Sequence, residues 1–161
     1  MNDEHWDKSE AAPIFLYIGG EGPQGSSCVT NNFLVDVLPK YNALLLCVEH
    51  RYYGCHNTSS CPYTDVEDGN KHLRYLSSHQ ALADLASFHS YATDKYEISP
   101  DARWIGIGGS YPGMLAAFLR ATYPEKFAMS VASSAPVHGV VTTQVICHCD
   151  SDSRVYLEGC W

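Results

Sequence analysis

Ser110 stands between two glycines and a helix start in "WIGIGGSYPGMLAAFLRATYP", the stretch from Trp104 to Pro124. An apolar run leads into Gly108 and Gly109, the serine follows, and from Tyr111 onward apolar residues recur at helical spacing. A serine at the carboxyl end of a strand, immediately before a helix, is well placed for nucleophilic chemistry. The sharp turn pushes its hydroxyl clear of the backbone, and the next amide, that of Tyr111, points towards a developing oxyanion. The helix N-terminus adds the positive end of its dipole. The match to G-x-S-x-G is incomplete because position 112 is proline. Proline is tolerated in the first helical turn, whose amides lack intrahelical partners, and Gly113 supplies the small residue one step later. A strand-to-helix turn also takes Gly and Ser for conformational reasons alone, so the motif by itself leaves both readings open.

A second loop bears on that choice. "GGEGPQG", from Gly19 to Gly25, follows one apolar run and precedes a helical pattern. An α/β-hydrolase keeps its other oxyanion amide there, and Gly19, Gly20 and Gly22 would let the backbone approach a substrate carbonyl. A phosphate cradle is disfavoured, because no G-K-[ST] and no nearby lysine accompany these glycines.

The elements that must hold these loops alternate along the chain. "PIFLYIGG", "NALLLCVEHRYYG", "ARWIGIGG" and "FAMSVASSAPV" read as strands. Between the first two, Phe33, Leu34, Val37 and Leu38 fall on one helical face that Pro39 ends. In "SSHQALADLASFHSYATDKY", Ala81, Leu85, Phe88 and Ala92 form a stripe beside Leu82 and Ala86, with a serine available as N-cap. Apolar strands alternating with helices predict an α/β fold, a parallel sheet covered on both faces, and no internal repeats interrupt it. In such sheets ligands gather at the carboxyl ends of the strands, where Ser110 lies. From about Val141 the pattern dissolves, so residues 1–140 are expected to form the domain and 141–161 a divergent tail.

With 161 residues the chain is long enough to bury a real core, and nothing in 45% hydrophobic against 17% charged residues suggests disorder. A net charge of -8 without a basic cluster argues against nucleic acid or an anionic membrane surface as partner. No apolar run approaches the ~20 residues of a spanning helix. Seven cysteines point to an oxidising compartment. Cys55 and Cys61 flank the polar loop "CHNTSSC" and read as a local disulfide, and Asn57 begins a glycosylation sequon within it. Cys47, inside an apolar strand, is expected to be a buried free thiol. "MNDEHWDKSE" is polar and acidic and is no signal peptide, so any leader is expected upstream of Met1 or lost.

"FLYIGGEGP", "VEHRYYG", "IGIGGSYPGMLAAFLRATYP" and "ASSAPV" together resemble the lysosomal Pro-X carboxypeptidase and dipeptidyl-peptidase II family of serine peptidases, over roughly Trp6 to Val140. The resemblance implies a partial α/β-hydrolase fold and a secreted, lysosomal or vacuolar setting. It implies an exopeptidase that cleaves peptides, with proline near the cleaved bond, through an acyl-enzyme and a Ser-Asp-His triad. Ser110 matches the nucleophile, Tyr111 gives one oxyanion amide, and the Gly20–Glu21 region gives the other. No cofactor or metal is implied, and oligomeric state and the choice between carboxypeptidase and dipeptidyl-peptidase stay open. Glu49 and Arg51 of "EHRYYG" read as an ion pair or loop anchor more than as reacting groups.

In that family the acid, the base and a helical cap follow far downstream of the serine, so a fragment without them is expected. His138 is the best local substitute for the base, with Asp150 and Asp152 nearby in sequence, but a base must reach the hydroxyl within ~3 Å. His89 reads as a packed or surface histidine and His50 as part of a structural signature. Cys147, His148 and Cys149, with Cys160, invite a zinc reading, but a histidine between adjacent cysteines is strained and free or mispaired thiols are favoured. An inactive truncated domain and an esterase of the same fold are the competing readings.

Overall fold

The computed structural model describes residues 1–9, 11–54 and 73–137. Cys55, Cys61, Asn57, His138, Asp150, Asp152, the 147–149 cluster with Cys160, and the 141–161 segment lie outside the described residues.

Among the described residues four strands form a parallel sheet: β1 (Ile14–Ile18), β2 (Leu44–Val48), β3 (Trp104–Gly109) and β4 (Met129–Ser133), in the order β2-β1-β3-β4. The strands alternate with helices, so each parallel neighbour is reached by a crossover, as apolar strand runs require. The register pairs Ile14 with both Leu44 and Trp104, which sends Leu16 and Leu46 to the same face. Helices α3 (Ser78–Tyr96) and α4 (Tyr111–Thr122) cover that face. Leu82, Leu85, Leu115 and Leu119 close a core there with Ile14, Leu16, Ile18, Leu44 and Trp104. The opposite face carries Phe15, Leu45 and Ile107 against Val29, Leu34 and Leu38. Each fully buried Leu or Ile contributes about 1.5–3 kcal/mol relative to exposure, so the two-sided layering holds the strands together.

Ser77 caps α3, its side chain accepting from the Gln80 amide, and Glu97 closes the helix in the left-handed region. The outer edge of β2 is occupied: Asn2 bridges Leu45 in antiparallel fashion through two backbone hydrogen bonds. β4 differs from the expected buried strand. Met129 and Val131 on one of its faces are 58% and 47% exposed.

The expected single helix over Phe33–Leu38 is also corrected. The segment is broken into α1 (Ser27–Thr30), a 3-10 turn (Val35–Val37) and α2 (Leu38–Tyr41). Pro39 opens α2, in its first turn, instead of ending a longer helix. Leu34 and Leu38 point inward as the pattern predicts, but Phe33 is 65% exposed.

Cys47 is corrected as well. It is half-buried and forms a disulfide with Cys28, with the Cα atoms 6.3 Å apart. The strand alternation sends Leu44 and Leu46 to one core and turns Leu45 and Cys47 to the other face, where α1 brings Cys28 within bridging reach.

Candidate functional site

β3 delivers Ser110 to the carboxyl edge of the sheet, and the turn that follows is unusually sharp. Ser110 has φ 58° and ψ -130°, a region that β-carbon residues rarely occupy and that costs about 1–3 kcal/mol. The turn is held from the backbone. The Ser110 amide donates to the Ser133 carbonyl at 2.9 Å, and the Ser110 carbonyl accepts from the Met114 amide at 3.0 Å. A β-carbon at Gly108 would overlap the Pro112 carbonyl, so only glycine allows α4 to start so close to β3. Ser110 is exposed, and its hydroxyl makes no capping bond to α4 although it occupies the N-cap position. Conformational convenience does not account for that combination, because a capping serine keeps an extended backbone and bonds its own helix.

The glycine-rich loop after β1 meets this turn directly. A β-carbon at Gly20 would lie 2.7 Å from the Pro112 Cγ, so the two loops pack without a side chain between them. Gly20, Glu21 and Gly22 share with Ser110 and Pro112 the wall of an open cavity of about 260 Å³. A second cavity of about 370 Å³ adjoins it, lined by Glu21, His50, Tyr53, Tyr111 and Met114 among others. Glu21 borders both. Ser110, Tyr111, Gly20 and Glu21 are therefore gathered in one place by β3, α4 and the loop after β1.

Residues of the "EHR" segment, directly after β2, brace both loops. The Glu49 carboxylate accepts from the Gln24 amide at 3.0 Å and so ties down the glycine-rich loop. The Arg51 guanidinium grips Asp84 of α3 with two hydrogen bonds of 2.6 Å, and also donates to the Tyr75 carbonyl at 2.9 Å. The bidentate form gives this pair its geometric precision, while the partly exposed Asp84 keeps its energy modest. His50 is buried, 7% exposed, and both its ring nitrogens are engaged. Nδ1 lies 2.7 Å from the Arg51 carbonyl and Nε2 lies 2.8 Å from the Tyr111 hydroxyl. A carbonyl only accepts, so Nδ1 carries a proton, and in the neutral imidazole Nε2 then accepts from the Tyr111 hydroxyl. Burial, with the charge of Glu21 and then Tyr53, pushes the Tyr111 phenol up and keeps it a neutral donor.

His89 belongs elsewhere. Its ring packs 4.5 Å from that of Trp104, at the opposite end of β3, a strand length of about 20 Å from Ser110. Among the described residues no histidine hydrogen-bonds the Ser110 hydroxyl, and no group of three or more His, Cys, Asp and Glu is placed to hold a metal. No described helix is long and apolar enough to cross a membrane. The sequence reading missed the Cys28–Cys47 bridge, the Asp84 partner of Arg51 and the His50–Tyr111 contact. Each joins residues distant in the chain, and only the packing of helices against the sheet brings them together.

Comparison with known proteins agrees with this architecture. The model of the family described as serine carboxypeptidase S28 matches residues 1–146. Human thymus-specific serine protease is 41% identical over 141 residues, covering 88% of this chain and 26% of that protein. Human lysosomal Pro-X carboxypeptidase is 38% identical over 136 residues, 84% of this chain and 26% of that one. The prolyl carboxy peptidase like protein 5 of Caenorhabditis elegans is 37% identical over 139 residues, 85% and 26% of the two chains. The chain thus spans about a quarter of the length of these curated relatives. With the parallel sheet, the serine turn and these matches in agreement, the chain belongs to the serine carboxypeptidase S28 family.

Proposed function

We propose that this chain supplies the nucleophile and the oxyanion donors of a serine exopeptidase. The observation that carries the reading is Ser110 itself: exposed, uncapped and held at φ 58° beside the Gly20–Glu21 loop. Ser110 Oγ attacks the scissile carbonyl carbon, and the carbonyl oxygen takes the negative charge, facing the Tyr111 amide and an amide of the Gly20–Glu21 region. Collapse of that intermediate breaks the C–N bond and leaves an acyl-enzyme, which water hydrolyses. The serine proton passes to a base and on to the leaving amine. His50 is not that base, because its two nitrogens are already engaged, and His89 is too far away.

A relative named lysosomal Pro-X carboxypeptidase supports a peptide substrate with proline next to the cleaved bond, and a lysosomal or secreted setting. The Cys28–Cys47 bridge supports an oxidising compartment, in which Asn57 would be glycosylated and Cys55 and Cys61 paired.

The test is hydrolysis of a proline-containing dipeptide amide by the 161-residue chain and by Ser110→Ala. Among the described residues no histidine bonds the serine, so the expected rate is small, and Ser110→Ala should lower it to what oxyanion donors and binding alone supply, at most roughly 10³–10⁴-fold over water. Full enzymatic turnover that depends on Ser110 would show that a local group completes the site. A rate indifferent to Ser110→Ala would overturn the nucleophile assignment.

A further inference from the structure

The turn at Ser110 is strained, and strain persists only where the surroundings over-determine it. Its β3 side is fixed by backbone contacts with Ser133 and by the close approach at Gly108. Its α4 side begins at Tyr111, the residue whose amide the proposed function makes an oxyanion donor, and that residue is held by its side chain. The Tyr111 hydroxyl donates to His50 Nε2 at 2.8 Å, and the two rings meet edge-on with centroids 5.3 Å apart. His50 is in turn fixed on three sides. Nδ1–H donates to the Arg51 carbonyl, the Tyr53 ring packs at 5.3 Å, and the Tyr53 amide donates to the His50 carbonyl at 3.1 Å. Next to it, Glu49 fixes the glycine-rich loop through the Gln24 amide.

We infer that His50 is a positioning residue for the Ser110 site: its Nε2, by accepting from the Tyr111 hydroxyl, sets the direction of the Tyr111 amide towards the oxyanion. The inference rests on the proposed function above. It assigns His50 no proton transfer. The protonated nitrogen faces a carbonyl, and the other already has its donor, so the ring is a fixed acceptor. It also gives adjacent residues complementary tasks, Glu49 aligning the loop that carries one candidate donor and His50 the residue that carries the other. Displacing such a donor by about 1 Å costs up to 100-fold in transition-state stabilisation while leaving ground-state binding alone.

The split between those two states is the readout. A proline dipeptide ending in a boronic acid forms a tetrahedral adduct with a serine hydroxyl and places an oxyanion-like oxygen among the donors. The same dipeptide ending in an amide reports ground-state binding. Affinities of both are measured on the full chain and on Ser110→Ala, His50→Phe, His50→Gln, Tyr111→Phe and the double variant His50→Phe with Tyr111→Phe. Tyr111→Phe removes only a hydroxyl and keeps the test independent of any folding defect in His50→Phe.

The expected result is a 10- to 100-fold loss of boronate affinity in His50→Phe and in Tyr111→Phe, with amide affinity unchanged. The double variant should lose no more than either single one, and His50→Gln, which keeps an acceptor, should recover much of the loss. Equal boronate affinity in wild type, His50→Phe and Tyr111→Phe, with Ser110→Ala still defective, overturns the positioning role while the proposed function stands. Equal affinity in wild type and Ser110→Ala overturns the proposed function and the inference with it.

Discussion

The two loops that meet at Ser110 are held by different means. The turn between β3 and α4 is locked mainly by backbone contacts and by what glycine permits, with the β4 carbonyl of Ser133 on one side, the Pro112 carbonyl against Gly108 on the other, and the Tyr111 side chain bonded to His50. The loop after β1 has little local structure and is tied down by β2 and the segment that follows it. Glu49 takes the Gln24 amide, the Val48 carbonyl takes the Gly19 amide at 2.9 Å, and Cys47 is bridged to Cys28 beyond the loop. A locally locked turn writes itself into contiguous residues. A tethered loop writes itself into residues that only the fold brings together.

The comparison breaks most sharply at Gly108. Gly108→Ala forces a β-carbon into backbone atoms that cannot yield cheaply, so unfolding stability should fall by about 3 kcal/mol or more. Urea denaturation measures it, and a loss under 1 kcal/mol would mean that the turn relaxes freely.

Next in size is the tether. Cys28→Ser removes a bridge closing a separation of 19 residues, for which chain entropy gives about 3 kcal/mol. The thermal midpoint should drop in Cys28→Ser and in wild type under reductant, but reductant should leave Cys28→Ser with no further change attributable to this pair. In the untreated folded chain, a thiol reagent should label neither Cys28 nor Cys47.

These contrasts explain what was legible beforehand. The sheet was readable because each strand is a short apolar run ended by glycine or a polar turn, and α3 because Ala81, Leu85 and Ala92 keep a strict stripe. The Ser110 turn was readable because Gly108, Gly109 and Ser110 are contiguous. The chain between β1 and β2 was not, because Pro39 fits the first turn of a helix as well as the end of one. Cys47 looked like a core thiol because its neighbours Leu45 and Leu46 are core. The even–odd alternation of a strand put it on the side facing α1, and the identity of its partner among seven cysteines is a tertiary fact.

A smaller effect comes from the layer behind the sheet and should spare both loops. Burial against Trp104 and Phe127, helped by the charge of Lys126, pushes His89 down to about 4, and its Nδ1 has no hydrogen-bond partner among the described residues. The unfolded chain binds this proton from about pH 6.5 downward, the folded one only near 4, so this contribution to stability is full above about 6.5 and is lost as pH falls towards 4. Because the ring is only half-buried, the loss should not exceed about 1–2 kcal/mol. Denaturant midpoints between pH 7 and 4 should fall less steeply in His89→Phe than in wild type, and parallel curves would contradict the assignment.

Smallest is Glu49→Gln, which weakens a charged hydrogen bond to the Gln24 amide without deleting the side chain, at a cost of about 1 kcal/mol. Hydrogen exchange should quicken at Gln24 and its loop neighbours while the amides of β3 and α4 keep their protection. Equal acceleration in both loops would mean that they are not held separately.

The central claim is that the two loops serve one oxyanion. Amide proton and nitrogen NMR shifts of the chain, recorded with and without the proline boronate, test it most directly. The account expects large downfield proton shifts at Tyr111 and at one amide of the Gly20–Glu21 region, absent in Ser110→Ala. Shifts confined to one loop, or an adduct that forms without Ser110, would contradict it.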